Sequence, residues 1–220
     1  MSLWDSVYSS DSSYFGEEPS ILARESLRYF NQYRCKSIIE LGCGQGRDTV
    51  FFARNGLKVN AFDLSKVSVS QLNQNIAKLG LEGKVKVSQV DLSKNFPQLA
   101  KDEVVDAVYS NLFFCMPFND DELEKLFEFA YDMLPEGGLH IFSVRNKDKD
   151  KSWGKGKEVG KDTCEINGFR VRFFTADEAL KLNHRFRTLE VIERYEDPCS
   201  LILVFSVLAA KKQIVLPADR

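Results

Sequence analysis

The sequence predicts an α/β protein, an open and mostly parallel sheet with helices on both faces. Three observations carry this. Short apolar runs of strand length alternate with amphipathic runs of helix length along most of the chain. The segment Ile38-Ile39-Glu40-Leu41-Gly42-Cys43-Gly44-Gln45-Gly46-Arg47-Asp48 reads as strand, glycine turn and helix start. Three successive strand candidates then end in a carboxylate, at Glu40, Asp63 and Asp91. They set a row of acids along the carboxyl edge, outside which open α/β sheets bind ligands.

Taken in order, Met1 to Gly16 is rich in Ser and Asp yet carries Trp4, Tyr8, Tyr14 and Phe15. Such rings close onto something, either as a tail tucked on the core or as a lid over a site. Leu22, Ser26, Leu27 and Phe30 recur at helical spacing, predicting a helix over about 21–33. A strand at Ile38, the glycine turn and a helix from Thr49 to Arg54 follow, stopped by Asn55-Gly56. Lys58 to Asp63 reads as a strand, Val69 to Leu79 as a helix stopped by Gly80, and Lys84 to Val90 as a third strand. Val104 to Ser110 is a buried strand running on into Asn111-Leu112-Phe113-Phe114. Asn119 or Asp120 caps a helix to Leu134, and Leu139 to Val144 is the fifth strand. Asn146 to Lys161 has no period and is expected as a loop in which Trp153 stands out. Asn167-Gly168 between alternating runs marks a hairpin over Cys164–Phe173. Thr175-x-x-Glu178 opens a helix to about Phe186, and Thr188–Tyr195 and Leu201–Ala210 close the chain as two strands joined through Glu196–Ser200.

The bulk numbers narrow the function classes. A length of 220 residues with 44% hydrophobic and 28% charged residues suits one soluble domain with a full core. A net charge of −2 disfavours a general polyanion binder, so no nucleic-acid partner is expected. Five scattered cysteines without a C-x-x-C pair, and two histidines, argue against a disulfide framework and a metal site. No apolar run reaches membrane-span length and no leader is visible. The expectation is a cytoplasmic monomer or homodimer, with a lid segment and helix at 1–36 and a domain at 37–212.

The glycine turn sets the ligand chemistry. Glycines permit positive φ and bring backbone N–H groups close to a ligand at a helix N-terminus. The dinucleotide pattern G-x-G-x-x-G needs glycine at 47, where this chain has Arg47. Glu40 before the turn repels pyrophosphate and welcomes a cation. Asp63, about 20 residues after the first glycine, suits ribose hydroxyls.

E-L-G-C-G-Q-G resembles motif I of the class I S-adenosylmethionine-dependent methyltransferases, and Leu134-Pro135-Glu136-Gly137-Gly138 before a strand resembles a second marker of that family. The resemblance runs from about Ile38 to Ala210. The Trp4-x-x-x-Tyr8 start and the Glu196-to-Phe205 ending are similar to the tellurite-resistance and thiopurine branch. It implies a single Rossmann-like methyltransferase domain, with a mostly parallel seven-stranded sheet, helices on both faces and an antiparallel C-terminal strand pair. It implies S-adenosylmethionine as cofactor, held by Trp4, Tyr8, Glu40, Gly42, Cys43, Gly44, Gly46, Arg47, Asp63, Leu64, Asp91, Leu92 and Ser110. Asp91 would receive the adenine amino group. Nucleic-acid aminomethylating enzymes carry an N-P-P-Y-like tetrad after the fourth strand, and Ser110-Asn111-Leu112-Phe113 lacks its prolines.

The expected partner is a small-molecule methyl acceptor, met by Tyr14, Phe113, Phe114, Trp153 and the cation Arg145. No catalytic base and no metal ligand set is implied. Methyl transfer to a soft nucleophile needs mainly positioning and exclusion of water, which favours a soft sulfur, selenium or tellurium acceptor. The competing readings are a protein that binds the cofactor without turnover and an NAD-dependent oxidoreductase.

Overall fold

The computed structural model describes residues 2–99, 103–196 and 203–211. Strand alternation decides its layering. In β1 (Ser37–Leu41) Ile38 packs into one apolar cluster while Ile39 and Leu41 pack into another. The same division separates Ala107 and Tyr109 from Val108 in β4 (Ala107–Asn111), and Leu139 and Ile141 from Phe142 and Val144 in β5 (Leu139–Asn146). A sheet apolar on both faces needs helices on both. The first face receives α2 (Ile21–Gln32), α3 (Arg47–Arg54) and α4 (Lys66–Leu79). The second receives α5 (Asp120–Met133) and α6 (Ala176–Leu182).

β3 (Val85–Gln89), β2 (Lys58–Asp63), β1, β4 and β5 lie side by side in that order, all parallel. Beyond β5 come β10 (Leu203–Ala210) and β9 (Arg187–Tyr195), each antiparallel to its neighbour. These seven strands are the sheet read from the sequence. Strand order reverses between β1 and β4, leaving a crevice at their carboxyl ends.

A ribbon of β6 (Lys157–Gly160), β7 (Thr163–Ile166) and β8 (Phe169–Phe174) is added between β5 and α6. β5 outruns β4, and its last residues pair with β8 through Arg145 and Phe173. The Asn167-Gly168 turn takes φ of +51° and +82°, as a tight hairpin requires.

Several expectations are corrected. β6 lies in the segment read as a loop, because it is held by backbone pairing to β7 while its exposed side chains show no period. β4 starts at Ala107, leaving Val104 66% exposed. The helix from Thr175 stops at Leu182. The N-terminal stretch forms α1 (Leu3–Ser10), opened by a reciprocal Ser2–Asp5 capping box. The expected link 197–200 and strand start 201–202 lie outside the described residues.

Candidate functional site

A cavity of about 560 Å³ opens at the carboxyl edge, within the range of small-molecule sites. Its floor is made by chain leaving four parallel strands: Gly42 after β1, Asp63 and Leu64 at β2, Asp91 and Leu92 after β3, and Asn111 to Phe113 at β4. Met116, Pro117 and Phe118 continue that wall. Its roof is Trp4 and Tyr8 of α1 with Phe15, meeting Phe169 of the β7–β8 turn. The Trp4 ring lies 5.0 Å from Phe169, 5.4 Å from Tyr8 and 6.1 Å from Phe15.

The glycine turn is shaped by local hydrogen bonds. Gly42 N–H donates to the Phe62 carbonyl at 2.8 Å, and Gly44 N–H donates to Asp63 Oδ2 at 2.8 Å. Gly42 has φ +71°, and a Cβ there would stand 2.6 Å from the Phe113 ring. Gly46, at the start of α3 with φ +87°, leaves a Cβ position only 2.2 Å from Leu72 of α4. The first glycine thus borders the cavity and the third packs α3 against α4.

Asp63 also accepts from Ser65 N–H at 2.8 Å and Ser68 Oγ at 3.2 Å, and desolvation pushes its pKa up despite these bonds. Asp91 accepts from Ser93 Oγ at 2.6 Å and Lys94 at 2.7 Å, which holds its pKa down. Glu40 lies under the turn, 3% exposed and bonded to Thr49 Oγ1 at 2.5 Å, off the cavity wall. Desolvation, with Asp48 nearby, raises its pKa well above the usual range.

Other expected site residues stand elsewhere. Arg47 turns away from the cavity, donating to the Phe15 carbonyl at 2.8 Å with its guanidinium over the Phe15 ring. Cys43 is buried in the cluster under α2, α3 and α4, and its thiol is pushed far up by desolvation. Cys115 is likewise buried and pushed up to about 12, while Cys199 lies outside the described residues. Gly44 is covered by the Tyr8 hydroxyl. Ser110 is fully buried, since alternation along β4 leaves Asn111 to reach the cavity. Phe114 is core, stacked on Phe127 at 4.5 Å. Tyr14 is 43% exposed, edge-on to Trp4 outside the lining. Arg145 is bound by both oxygens of buried Asp150, at 2.8 and 3.0 Å, and lies over Phe173. It is no free cation for an anionic substrate. Trp153 packs on Phe173 at 5.2 Å and on Lys147.

Lining residues that the sequence did not single out include Asn111, Phe118, Glu122 and Phe169. The hairpin signal at Asn167-Gly168 marked a turn without saying what it reached. Beside the β4 tip lie two buried acids. Asp48 accepts from Ser20 N–H, Ser20 Oγ and the Tyr109 hydroxyl, each at 2.7 Å. Glu196 accepts from Asn111 Nδ2 at 2.8 Å, and burial raises its pKa to about 7.

The site suits a cationic adenosyl ligand. Glycine backbone opens the floor, Asp63 and Asp91 face the cavity, and desolvated acids around the turn gain from a positive charge. Among the described residues no group of three His, Cys, Asp or Glu side chains is placed to hold a metal.

Comparison with known proteins agrees. Residues 38–138 match the family described as Methyltransferase domain. The fold is that of the S-adenosylmethionine-dependent methyltransferases, and the matched segment takes in the glycine turn and the strands β1 to β4. A S-adenosylmethionine-dependent methyltransferase from Clostridium acetobutylicum superposes with TM-score 0.69 at 16% identity, covering 96% of this chain and 97% of that one. TehB from Haemophilus influenzae gives TM-score 0.64 at 18% identity, covering 86% and 62%. Ribosomal RNA small subunit methyltransferase C of Alcanivorax borkumensis is 30% identical over 69 residues, 31% of this chain. The chain covers about a fifth (21%) of the length of that curated relative.

Proposed function

We propose that the protein transfers the methyl group of S-adenosylmethionine to a small molecule lodged under the aromatic roof. The observation that carries this is one continuous cavity joining the acid-tipped strands to the apolar wall after β4. When bound, S-adenosylmethionine supplies an electrophilic methyl carbon. Asp63 accepts from its ribose hydroxyls and Asp91 from its adenine amino group, while Gly42 lets the backbone approach. Trp4, Phe15, Phe113 and Phe169 exclude water and orient the acceptor.

Phe113, Met116 and Phe118 favour the soft chalcogen acceptor, which needs no base. The same cavity carries Asp63, Asp91 and Glu122, and Arg145 is committed to Asp150, which disfavours the anionic form of such an acceptor. The acids favour a second reading, an uncharged amine. Neither requires nucleic acid. Among the described residues no helix is long and apolar enough to cross a membrane, and a cytoplasmic setting is proposed for the four buried free thiols.

Calorimetric titration with S-adenosylhomocysteine tests the site. Asp63→Ala removes charge-assisted hydrogen bonds of about 1.5–3 kcal/mol, a loss of roughly 10- to 100-fold in affinity. Unchanged affinity would take Asp63 out of the site. Retained binding with no transfer of labelled methyl to any thiol, amine or chalcogen oxyanion would instead favour a protein that only binds the cofactor.

A further inference from the structure

We propose that the acceptor is an uncharged amine and that Glu196, working through Asn111, is the positioning residue for it. The proposal rests on the methyl-transfer reading above. Asn111 stands in the cavity wall at the tip of β4, and its amide is held in one orientation by a directed chain of bonds. Leu112 N–H donates to Ser143 Oγ at 3.0 Å, and Ser143 Oγ donates to Asn111 Oδ1 at 2.5 Å. Asn111 Nδ2 then donates to Glu196 Oε1 at 2.8 Å. The Ser143 proton is committed, so the amide cannot flip without losing bonds at both ends. One lone pair remains on Oδ1 for an N–H of the acceptor.

Glu196 itself is poorly explained as scaffolding. It is 7% exposed, and its Oε2 has no hydrogen-bond partner among the described residues. Asp48 nearby shows what a structural acid looks like here, with three donors on its carboxylate. A buried carboxylate left half satisfied is costly, and such groups collect where charge is to be handled. The groups facing Glu196 are Asn111 of β4, Arg47 and Asp48 of α3, and Arg194 of β9, the strand it follows. Arg47 approaches Oε1 to 3.7 Å, too far to saturate it.

The chemistry gains from an acid behind the acceptor. The amine lone pair forms the new N–C bond, the C–S bonding pair stays with sulfur, and positive charge passes to nitrogen until a proton leaves to water. Asn111 holds the attacking N–H, and ionised Glu196 behind it favours the charge arriving at that end. An anionic nucleophile would meet Asp63, Asp91 and Glu122 in the cavity wall, with Glu196 behind Asn111.

Two measurements on the full chain test this. Sinefungin carries an amine in place of the sulfonium methyl, so its calorimetric affinity relative to S-adenosylhomocysteine reads the charge felt at the transfer position. Glu196→Gln is expected to reduce that preference by about tenfold, with S-adenosylhomocysteine affinity unchanged. An unchanged preference overturns the proposal, whether or not any compound turns over. Transfer of labelled methyl is then followed with an arylamine that stays neutral across the pH range, with benzenethiol and with selenite. Arylamine turnover that rises through about pH 7 in the native protein and is flat in Glu196→Gln supports it. Turnover of benzenethiol or selenite without the arylamine, or the same pH profile in both proteins, overturns it. Failure of the native protein to bind S-adenosylhomocysteine sinks the methyl-transfer reading instead.

Discussion

His140 is fully buried among Phe114, Phe127, Phe142 and Phe186, with Nδ1 2.9 Å from Asn183 Oδ1 and Nε2 without a hydrogen-bond partner among the described residues. Desolvation lowers its pKa from 6.5 to about 4. Between those values the unfolded chain takes up a proton that the folded chain refuses. The neutral ring therefore contributes stability above pH 6.5 that is lost as pH falls through about 4, on the order of 3 kcal/mol in all. Glu40 and Glu196 have raised pKa values and run the other way, contributing stability at low pH that is lost as pH rises. Urea midpoints measured across the acid range separate the two. His140→Gln, which can still bond Asn183, should fall less steeply with acid than the native protein, and parallel slopes would show that His140 does not govern that limb.

At the scale of elements, the turn between β1 and α3 depends on backbone no other residue adopts cheaply. Gly46 combines φ +87° with contact to Leu72, so strain and overpacking act together. Gly46→Ala should lower stability by about 1–3 kcal/mol. It should also weaken S-adenosylhomocysteine binding, because α3 cannot stay seated on α4. A variant with unchanged urea midpoint and affinity would show that the turn has slack. α1 is tied to the same region, since Asp5 accepts from Ser65 Oγ at 2.7 Å and Val67 N–H at 3.3 Å. Those bonds, Ser65 first, lower the Asp5 pKa to about 2. α1 thus caps α4, the helix that follows Asp63.

For the whole molecule, the electrostatic feature is a set of desolvated acids converging on one sheet edge. Glu40, Asp63 and Glu196 all have pKa values raised chiefly by burial. A cationic ligand favours their ionised forms, so binding it should release protons in mildly acidic solution. Calorimetry in buffers of different ionisation enthalpy reads this directly. S-Adenosylmethionine should release more protons than S-adenosylhomocysteine, which lacks the sulfonium charge. Equal release by both would remove the acids from the ligand's field.

Residues close in sequence settled a large share of this protein. Glycine spacing, the carboxylates closing β1 and β2 and following β3, helix caps at Asn119 and Thr175, and the Asn167-Gly168 hairpin act through the local backbone, so they could be read directly. Alternating apolar positions then dictated a sheet covered on both sides. Tertiary structure decided what faces the ligand. Arg145 lost its expected role to Asp150, Ser110 yielded to Asn111 through strand alternation, and Phe169 reached the roof through a ribbon whose first strand has no visible period. Glu196 meets Asn111 from 85 residues away. Which side chains share a cavity is fixed by long-range packing, and no local period or propensity records it.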